Sequence, residues 1–413
     1  MSKKPTFLTT DRRGRLILFG FLYFVQGTLI AYVLVFNNLY LRTHGGAAWQ
    51  LGVLNGALVI PFILKIVIGI LSDRTNLFGW GHRVPYIALG SILILIGTLL
   101  ILTVDPIAQF PLFTLLAVLM ALGLAFYDTT VDGLAVDLTP SEDFGVVQGS
   151  MVVGRSLGLV ALASLYGRLI ESVGWSIVFI LLAIFSLTPF LFLWAVREPK
   201  ERPESQTFET AALKTLWKPS IRRLSAYALI YSFVVYGANG LVSVFLAENL
   251  GQTIVQVGDA AAVGGAGMLI GGALATLVAR WTKIWVQGNV TAALVSVGLL
   301  LLAMFINPDN IWLTIFLWGV CLAASEFIYI TLAMMYAEPR LGAASYAIFM
   351  AISNAGIGVG QSLTHSLIDT IDEPVIFVAL AILNLAIFPI LARMRHDADA
   401  DPALAQPSVA SGS

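Results

Sequence analysis

The sequence predicts an all-α integral membrane protein with twelve transmembrane helices in two six-helix bundles. Three observations predict this class. The 413-residue chain is 58% hydrophobic and only 11% charged, a composition that would not keep a soluble domain of this size in solution. Apolar stretches long enough to cross the roughly 30 Å hydrocarbon core recur twelve times. One longer polar break separates the first six from the last six.

The apolar stretches define the helices in order. They begin near Arg15, Gln50, Pro85, Pro111, Gly145, Gly174, Leu224, Ile254, Ile284, Ile311, Leu341 and Glu373. The first is about 24 residues long, too long for a signal-peptide core, and we interpret it as a retained helix. The predicted organisation is an N-terminal bundle over 1–196, a cytoplasmic linker over 197–223, a C-terminal bundle over 224–394 and a disordered cytoplasmic tail over 395–413.

The distribution of basic residues predicts the orientation. With the N-terminus in the cytoplasm, nineteen of the 23 Lys and Arg residues fall in cytoplasmic segments, and Arg42 is the only one in an outer loop. The remaining three, Lys65, Arg155 and Arg168, fall within spans. The positive-inside rule therefore places both termini in the cytoplasm. We expect a multi-pass protein of the cell (inner) membrane.

Composition also limits the kinds of site and partner. The chain has one cysteine, Cys321, and four histidines scattered among loops and different helices, so neither a disulfide framework nor a metal or cofactor site is predicted. No nucleophile motif accompanies them, which argues against an intramembrane enzyme. The net charge is only −1 and the basic residues lie in loops, so no nucleic-acid partner is expected. The expected partners of a functional monomer are the lipid bilayer, a small anionic substrate and protons.

The strongest local signal is a predicted hairpin of the fourth and fifth helices that carries charge within apolar sequence. Asp128 and Arg155 lie equally far from its apex near residues 141 and 142, about 20 Å by helical rise, and so at the same depth. Asp132 lies one turn from Asp128. Ionisable residues in a span are costly and commonly mark a transport pathway. We predict that Arg155 binds substrate and that Asp128 and Asp132 exchange protons, the alternative being a static Asp128 and Arg155 pair.

Two further ionisable residues fall inside predicted spans. Lys65 lies eight residues before Asp73 and either reaches the cytoplasmic interface or attracts an anionic substrate into a cavity. Glu326 lies midway along the tenth helix, where no cation of the second bundle matches its depth. It is a candidate for proton coupling, and the alternative is a permanently protonated acid hydrogen-bonded to a neighbouring helix.

Neutral polar residues at mid-span are candidates for lining a binding cavity. They are Gln26 in the first helix, Tyr236 and Asn239 in the seventh, and Asn354 and Gln361 in the eleventh. We include all but Gln361 in the predicted substrate site. Each of them can alternatively form an interhelical hydrogen bond.

The loop between the second and third helices resembles a family signature. It contains Gly69-Ile70-Leu71-Ser72-Asp73-Arg74 and then Arg83-Val84-Pro85-Tyr86-Ile87, and is similar to the cytoplasmic signature loop of the major facilitator superfamily. The resemblance implies that superfamily's fold and transport by alternating access. It also implies a cytoplasmic charge gate at Asp73, Arg74 and Arg83.

Finer motifs are similar to the folate-biopterin transporter family. They are Tyr23-Phe24-Val25-Gln26-Gly27, Pro61 with Lys65, and Gly145, Gln148, Gly154, Arg155 and Gly158. Two stretches are also similar to the muropeptide-permease and acetyl-coenzyme A transporter family: Pro61 to Lys65 followed by Asp73, and Asp132-Gly133-Leu134-Ala135-Val136-Asp137. Gly79-Trp80 with Arg83-Val84-Pro85 resembles the bacteriochlorophyll-delivery family, whose members assist pigment-protein assembly.

Together these observations predict a secondary transporter, a proton symporter of an anionic organic metabolite, with pterin- or folate-like compounds as the first candidates. A muropeptide or acyl-coenzyme permease is one alternative. A non-transporting assembly factor for pigment-protein complexes is another, but such a factor would not need charge at mid-membrane.

Overall fold

The structure is a computed structural model that describes residues 7–140, 143–198, 217–336 and 342–400, and within these ranges its regular secondary structure is helical. Twelve long helices follow one another: α1 (Arg12–Thr43), α2 (Ala48–Arg74), α3 (Val84–Ile101), α4 (Phe110–Leu138), α5 (Phe144–Val173), α6 (Ser176–Leu193), α7 (Pro219–Glu248), α8 (Ile254–Val278), α9 (Ile284–Met304), α10 (Ile311–Tyr336), α11 (Gly342–Leu367) and α12 (Glu373–Asp399).

The described helices confirm the predicted all-helical membrane class. Eleven of them are long and apolar enough to cross a bilayer. The other, α11, has 26 residues and so is about 39 Å long. It is more polar because it carries Asn354, Gln361 and His365. Four helices begin at the residue that the sequence predicts: α8, α9, α10 and α12.

The predicted linker and tail differ from the structure at their edges. Residues 199–216 of the linker and 401–413 of the tail lie outside the described residues. Helix α7 begins at Pro219, within the predicted linker. The last helical segment, Ile387–Ala400, extends beyond residue 395, where the tail was predicted to begin. Asp397 in this extension forms an ion pair with Arg223 of α7, which explains why the helix continues.

The two bundles meet along two seams. In the first bundle α1 packs against α5 and α3 against α4, and in the second α7 packs against α11 and α8 against α10. Between the bundles, α2 packs against α11 and α5 against α8. Helices α1, α4, α7 and α10 do not form these two seams and lie around the space between them.

Close packing of α1 against α5 depends on two glycines. A Cβ atom on Gly27 would overlap the backbone carbonyl oxygen of Arg155, and one on Gly158 would overlap that of Phe24. Small residues at such contacts let membrane helices approach closely. The approach places Arg155 beside the turn of α1 that carries Gln26.

Two of the long helices are interrupted. Helix α2 contains Pro61 and changes direction at Leu64, between the segments Ala48–Ile63 and Lys65–Arg74. Proline removes a backbone donor and kinks a helix, which accounts for the break. Helix α1 contains a π-helical stretch over Tyr32–Phe36. Such irregular stretches occur frequently at functional sites, and here Lys65 is the first residue after the break.

Candidate functional site

Five ionisable side chains form a charge cluster in the interior of the first bundle and at its boundary with the second. Its members are Lys65 (α2), Asp128 and Asp132 (α4), Arg155 (α5) and Glu326 (α10). The Lys65 ammonium donates to Asp128 Oδ2, and the Gln26 amide donates to Asp128 Oδ1. Asp128 is only 8% exposed, so its charge is compensated by α1 and α2 together.

Asp132 lies one turn further along α4 and has a different environment. The Tyr23 hydroxyl of α1 donates to Asp132 Oδ1. The carboxylate also interacts electrostatically with Asp128, Lys65 and Arg155. Asp132 is exposed, and because its electrostatic partners are interior groups, this exposure is to a space inside the molecule. Asp132 is therefore the member of the cluster most open to water and solutes.

Arg155 connects the cluster to the second bundle. Arg155 interacts electrostatically with Glu326 of α10 more strongly than with Asp128 of its own bundle, and Tyr23 and Tyr236 lie near it. Tyr236 of α7 in turn interacts with Glu326. The facing charges of Arg155 and Glu326 thus lie on opposite sides of the boundary between the bundles.

The structure corrects two expectations about these charges. Asp128 pairs with Lys65 and not with Arg155, because equal depth does not fix which way a helix face is turned. Lys65 is directed to Asp128 in the interior, with a side chain 29% exposed, and does not reach for the membrane edge. The cation nearest in influence to Glu326 is Arg155 of the first bundle, and a coupling role for Glu326 remains a prediction.

The neutral candidates divide into two groups. Gln26 and Tyr236 contact the charge cluster, Gln26 through Asp128 and Tyr236 through Glu326. In contrast, Asn354 Nδ2 donates to the backbone carbonyl of Phe62 at 3.1 Å, just before the break in α2. Asn239 Oδ1 accepts from Trp318 Nε1 at 3.2 Å. In this conformation those two amides connect helices, and a substrate role for either remains a prediction.

The predicted gate residues lie at the C-terminal end of α2 and at the start of α3. Arg83 Nη2 lies 2.6 Å from Asp73 Oδ1, and its Nε lies 3.1 Å from Asp137 Oδ2 of α4. Arg83 also donates to Ser72 Oγ at 2.5 Å. Arg74 is exposed at the end of α2. The structure thus brings Asp73 and Arg83 together and adds Asp137, all within the first bundle.

The other end of the molecule carries an ion-pair clamp that the sequence interpretation missed. Arg42 of α1 bonds Glu248 of α7 at 2.6 Å and Asp369, between α11 and α12, at 2.9 Å. The backbone N–H of Ala48 donates to Asp369 at 2.7 Å. That N–H and the Arg42 guanidinium hold the pKa of Asp369 below its usual range. Arg42 was the only basic residue in the predicted outer loops, a signal that could have identified it.

Further contacts join the bundles near Arg42. Arg168 of α5 bonds Asp259 of α8 at 2.6 Å. Asn38 Nδ2 lies 2.9 Å from His365 Nε2, connecting α1 to α11. At the Asp73 end, Arg83 pairs with Asp73 within the first bundle and Arg223 pairs with Asp397 within the second. The contacts around Arg42 hold the two bundles together at that end, and Asp132 lies one turn from Asp128 towards the Asp73 end.

Comparison with known proteins gives sequence relatives. A folate-biopterin transporter of Synechocystis sp. is 26% identical over 368 residues, which are 83% of this chain and 73% of the relative. A putative transporter AmpG 1 of Rickettsia felis is 22% identical over 152 residues, which are 36% of this chain and 33% of that protein.

Solved structures share the fold. A bacterial homologue of the human lysosomal transporter Spinster, inward-facing and occupied, has a TM-score of 0.69 at 19% identity and covers 92% of this chain and 96% of its own. The nucleoside transporter NupG has a TM-score of 0.74 at 11% identity, with coverage of 94% and 99%. The family model of the Major Facilitator Superfamily matches residues 16–361. The chain is a membrane transporter that belongs to the Major Facilitator Superfamily.

Proposed function

We propose that the chain is a proton-coupled secondary transporter of an organic anion that works by alternating access. The observation that carries this proposal is the position of Arg155, which faces Glu326 of the other bundle while Lys65 is already neutralised by Asp128. A substrate anion that engages Arg155 competes with Glu326. Binding is thereby linked to a contact that the two bundles share.

The charge of the cluster supports proton coupling. Its two cations and three carboxylates leave one excess negative charge when all five are ionised. An entering anion adds to that excess, which is unfavourable in a partly buried site unless a carboxylate takes up a proton. Binding of the anion and of the proton then favour each other by reciprocal linkage. Transport of the two in the same direction follows from this linkage.

Asp132 and Glu326 are the carboxylates best placed to take up that proton. Asp128 is already engaged by the Lys65 ammonium and the Gln26 amide. Asp132 instead accepts from a neutral phenol, that of Tyr23, and lies one turn from the like charge of Asp128. Glu326 loses its cationic partner whenever a substrate engages Arg155. We assign Asp128 to holding Lys65 in place.

Pterin- or folate-like anions are the first candidates for the substrate because the folate-biopterin transporter matches over most of both chains. The second candidate is a muropeptide-type or acyl-coenzyme-type anion, which the partial match to the putative transporter AmpG 1 favours. Folate-like anions and these second candidates carry carboxylate or phosphate groups, which an arginine such as Arg155 can bind.

We propose that both termini lie in the cytoplasm of a cell whose inner membrane holds this protein, as the distribution of Lys and Arg indicates. In that orientation the Arg42 end faces outward. The conformation described here would then be closed to the outside, with Asp132 accessible from the cytoplasm.

Proteoliposomes test the proposal. Purified full-length chain is reconstituted with an outside-acidic proton gradient, and accumulation of radiolabelled folate, a muropeptide and acetyl-coenzyme A is measured. We expect one of these anions to accumulate above its external concentration and a protonophore to abolish the accumulation. Equal accumulation with and without the protonophore would reject proton coupling. Absence of binding and uptake of all three would reject these substrate classes.

A further inference from the structure

An apolar cavity lies between the two bundles, next to the charge cluster but distinct from it. Its wall comes from α1, α5, α7, α8 and α10. The cavity has a volume of about 70 Å³, whereas one water needs roughly 10–15 Å³ on the same measure. It has room for a small group of several heavy atoms and not for a whole metabolite.

Twelve of its sixteen described lining residues are aliphatic or glycine and none is ionisable; the other four are Asn239, Ser243, Met268 and Trp318. Leu34 and Val35 come from the π-helical stretch of α1. One polar atom is left without a partner: Ser243 is 6% exposed, and its Oγ makes no hydrogen bond. A buried hydroxyl without a partner is unfavourable, so Ser243 can bond a polar atom brought by an occupant.

On three helices, a residue that lines the cavity lies three or four positions from a residue in or next to the charge cluster. Leu159 lies four residues after Arg155 in α5, and Leu322 lies four residues before Glu326 in α10. Asn239 lies three residues after Tyr236 in α7. Residues three or four apart share a helix face, so each pair lies on one face about 4.5–6 Å apart along the axis.

On all three helices, the residue that lines the cavity lies closer to the Arg42 end than its neighbour at the charge cluster. Helix α7 ends at Glu248, which bonds Arg42, and α5 leads to Arg168, which joins the second bundle at the same end. The cavity is thus one helical turn deeper than the charges, towards the Arg42 end. A solute that enters from the Asp73 end meets Asp132 and Arg155 first and the apolar cavity last.

We propose that this cavity is the apolar subsite of the transport site and that it selects amphiphilic organic anions. The substrate's anionic group binds at Arg155, and a compact apolar group about one helical turn away fills the space among Leu159, Ala261 and Leu322. A single polar atom on that group bonds Ser243. This assignment rests on the proposed function and narrows its substrate class.

A homologous series of ligands tests the subsite. Affinities of the linear carboxylates from acetate to hexanoate are measured by isothermal titration calorimetry on the purified full-length chain. Burial of each methylene in a preformed apolar site increases affinity roughly fourfold. We therefore expect successive tightening of about that factor until the cavity is full, and then a plateau. Equal affinity along the whole series would overturn the subsite.

Two substitutions in the cavity wall test whether the cavity causes the dependence of affinity on chain length. Ala261→Leu fills the cavity, so acetate should bind as in the wild type while the gain for butyrate and longer acids is lost. Leu159→Ala enlarges it, so the plateau should move to a longer acid. If both variants keep the wild-type dependence on chain length, the cavity is not the subsite. Retention of acetate binding by Ala261→Leu shows that this variant is folded. If Ala261→Leu does not fold, the chain-length dependence of Leu159→Ala decides whether the cavity is the subsite.

Failure of the subsite is distinguishable from failure of the anion site. If no carboxylate of any length binds, or if Arg155→Ala leaves acetate affinity unchanged, then the proposed anion site is wrong. If acetate binding depends on Arg155 but chain length has no effect, only the apolar subsite is wrong.

Discussion

Lys65 of α2 forms an ion pair with Asp128 of α4, and this pair decides the role left to Arg155. Both partners belong to the first bundle, so the pair can persist while the bundles move. Among the described residues Arg155 forms no ion pair in its own bundle, and its largest electrostatic interaction with a charged group is with Glu326 of the second. The contact of Lys65 with Asp128 thus lies within one bundle. The contact of Arg155 with Glu326 changes when the bundles separate or a substrate binds.

The pair of Lys65 and Asp128 should be strongly coupled in stability. Removing one partner leaves the other buried without compensation, whereas removing both does not. We expect Lys65→Met and Asp128→Asn each to lower the thermal stability of the purified chain, and the double variant to be more stable than the sum of the two losses predicts. The expected coupling is about 1–3 kcal/mol. Additive losses in a double-mutant cycle would show that the pair makes no stabilising contact.

Arg155→Ala should weaken the binding of anionic substrates. A hydrogen bond to a charged group contributes about 1.5–3 kcal/mol, so we expect affinity to fall at least roughly tenfold. Arg393→Ala is a matched control, because Arg393 is exposed on α12, away from the cluster. The measurement is equilibrium binding of the anion identified by proteoliposome uptake. Wild-type affinity of the Arg155 variant would remove this residue from the site.

Glu326→Gln should separate exchange from accumulation. The amide keeps the size of the carboxyl group but cannot take up or release a proton. We expect the variant to exchange labelled for unlabelled substrate at a rate within a few-fold of wild type, and to lose accumulation driven by a proton gradient. Glu171→Gln, at an exposed position of α5, should behave as wild type. Accumulation by Glu326→Gln would assign coupling to Asp132 alone.

The clamp around Arg42 should bias the molecule towards closure at that end. Its partners Glu248 and Asp369 are 36% and 42% exposed, so solvent screens the pairs and each contributes up to about 1 kcal/mol. Arg42→Ala should therefore shift the open population about fivefold per kcal/mol lost.

Spin labels can report this opening. Cysteines at the exposed positions Glu171 and Asp372, in a Cys321→Ser background, place one label on each bundle at the Arg42 end. Pulsed electron resonance should show a larger long-distance fraction for Arg42→Ala than for the control Arg280→Ala at the other end. Identical distance distributions would mean that the clamp does not control closure.

The clamp should be insensitive to pH over the physiological range. The Ala48 N–H and Arg42 hold the pKa of Asp369 below its usual range, so its ionised form is kept in the closed state. This contribution is complete above the ordinary carboxyl pKa near about 4 and is lost as the pH falls further. The same label pair should give constant distances from pH 8 to pH 5. Opening within that interval would assign the pH response to the clamp.

Much of the architecture was predictable because it depends on length and hydropathy. A bilayer requires long apolar helices, and the starts of α8, α9, α10 and α12 follow directly from the sequence. The continuation of α12 past residue 395 was not predictable in this way. It depends on Asp397 meeting Arg223, a contact between residues far apart in the chain.

The members of the charge cluster were predictable, but their partners were not. Depth follows from helical rise, and it placed Asp128, Arg155 and Glu326 near mid-membrane. Rotation of each helix about its axis is set by tertiary packing, such as the contact of Gly27 with the backbone at Arg155. Hence Lys65 was not identified as the partner of Asp128.

Proton uptake on anion binding tests the central claim most directly. Isothermal titration of the purified chain with its anion, in two buffers of different ionisation enthalpy, gives the number of protons bound per anion. Because the cluster carries one excess negative charge when all five groups are ionised, we predict net uptake that approaches about one proton per anion at pH 8 and decreases as the pH is lowered. Saturable anion binding with no proton uptake at any pH would contradict the account.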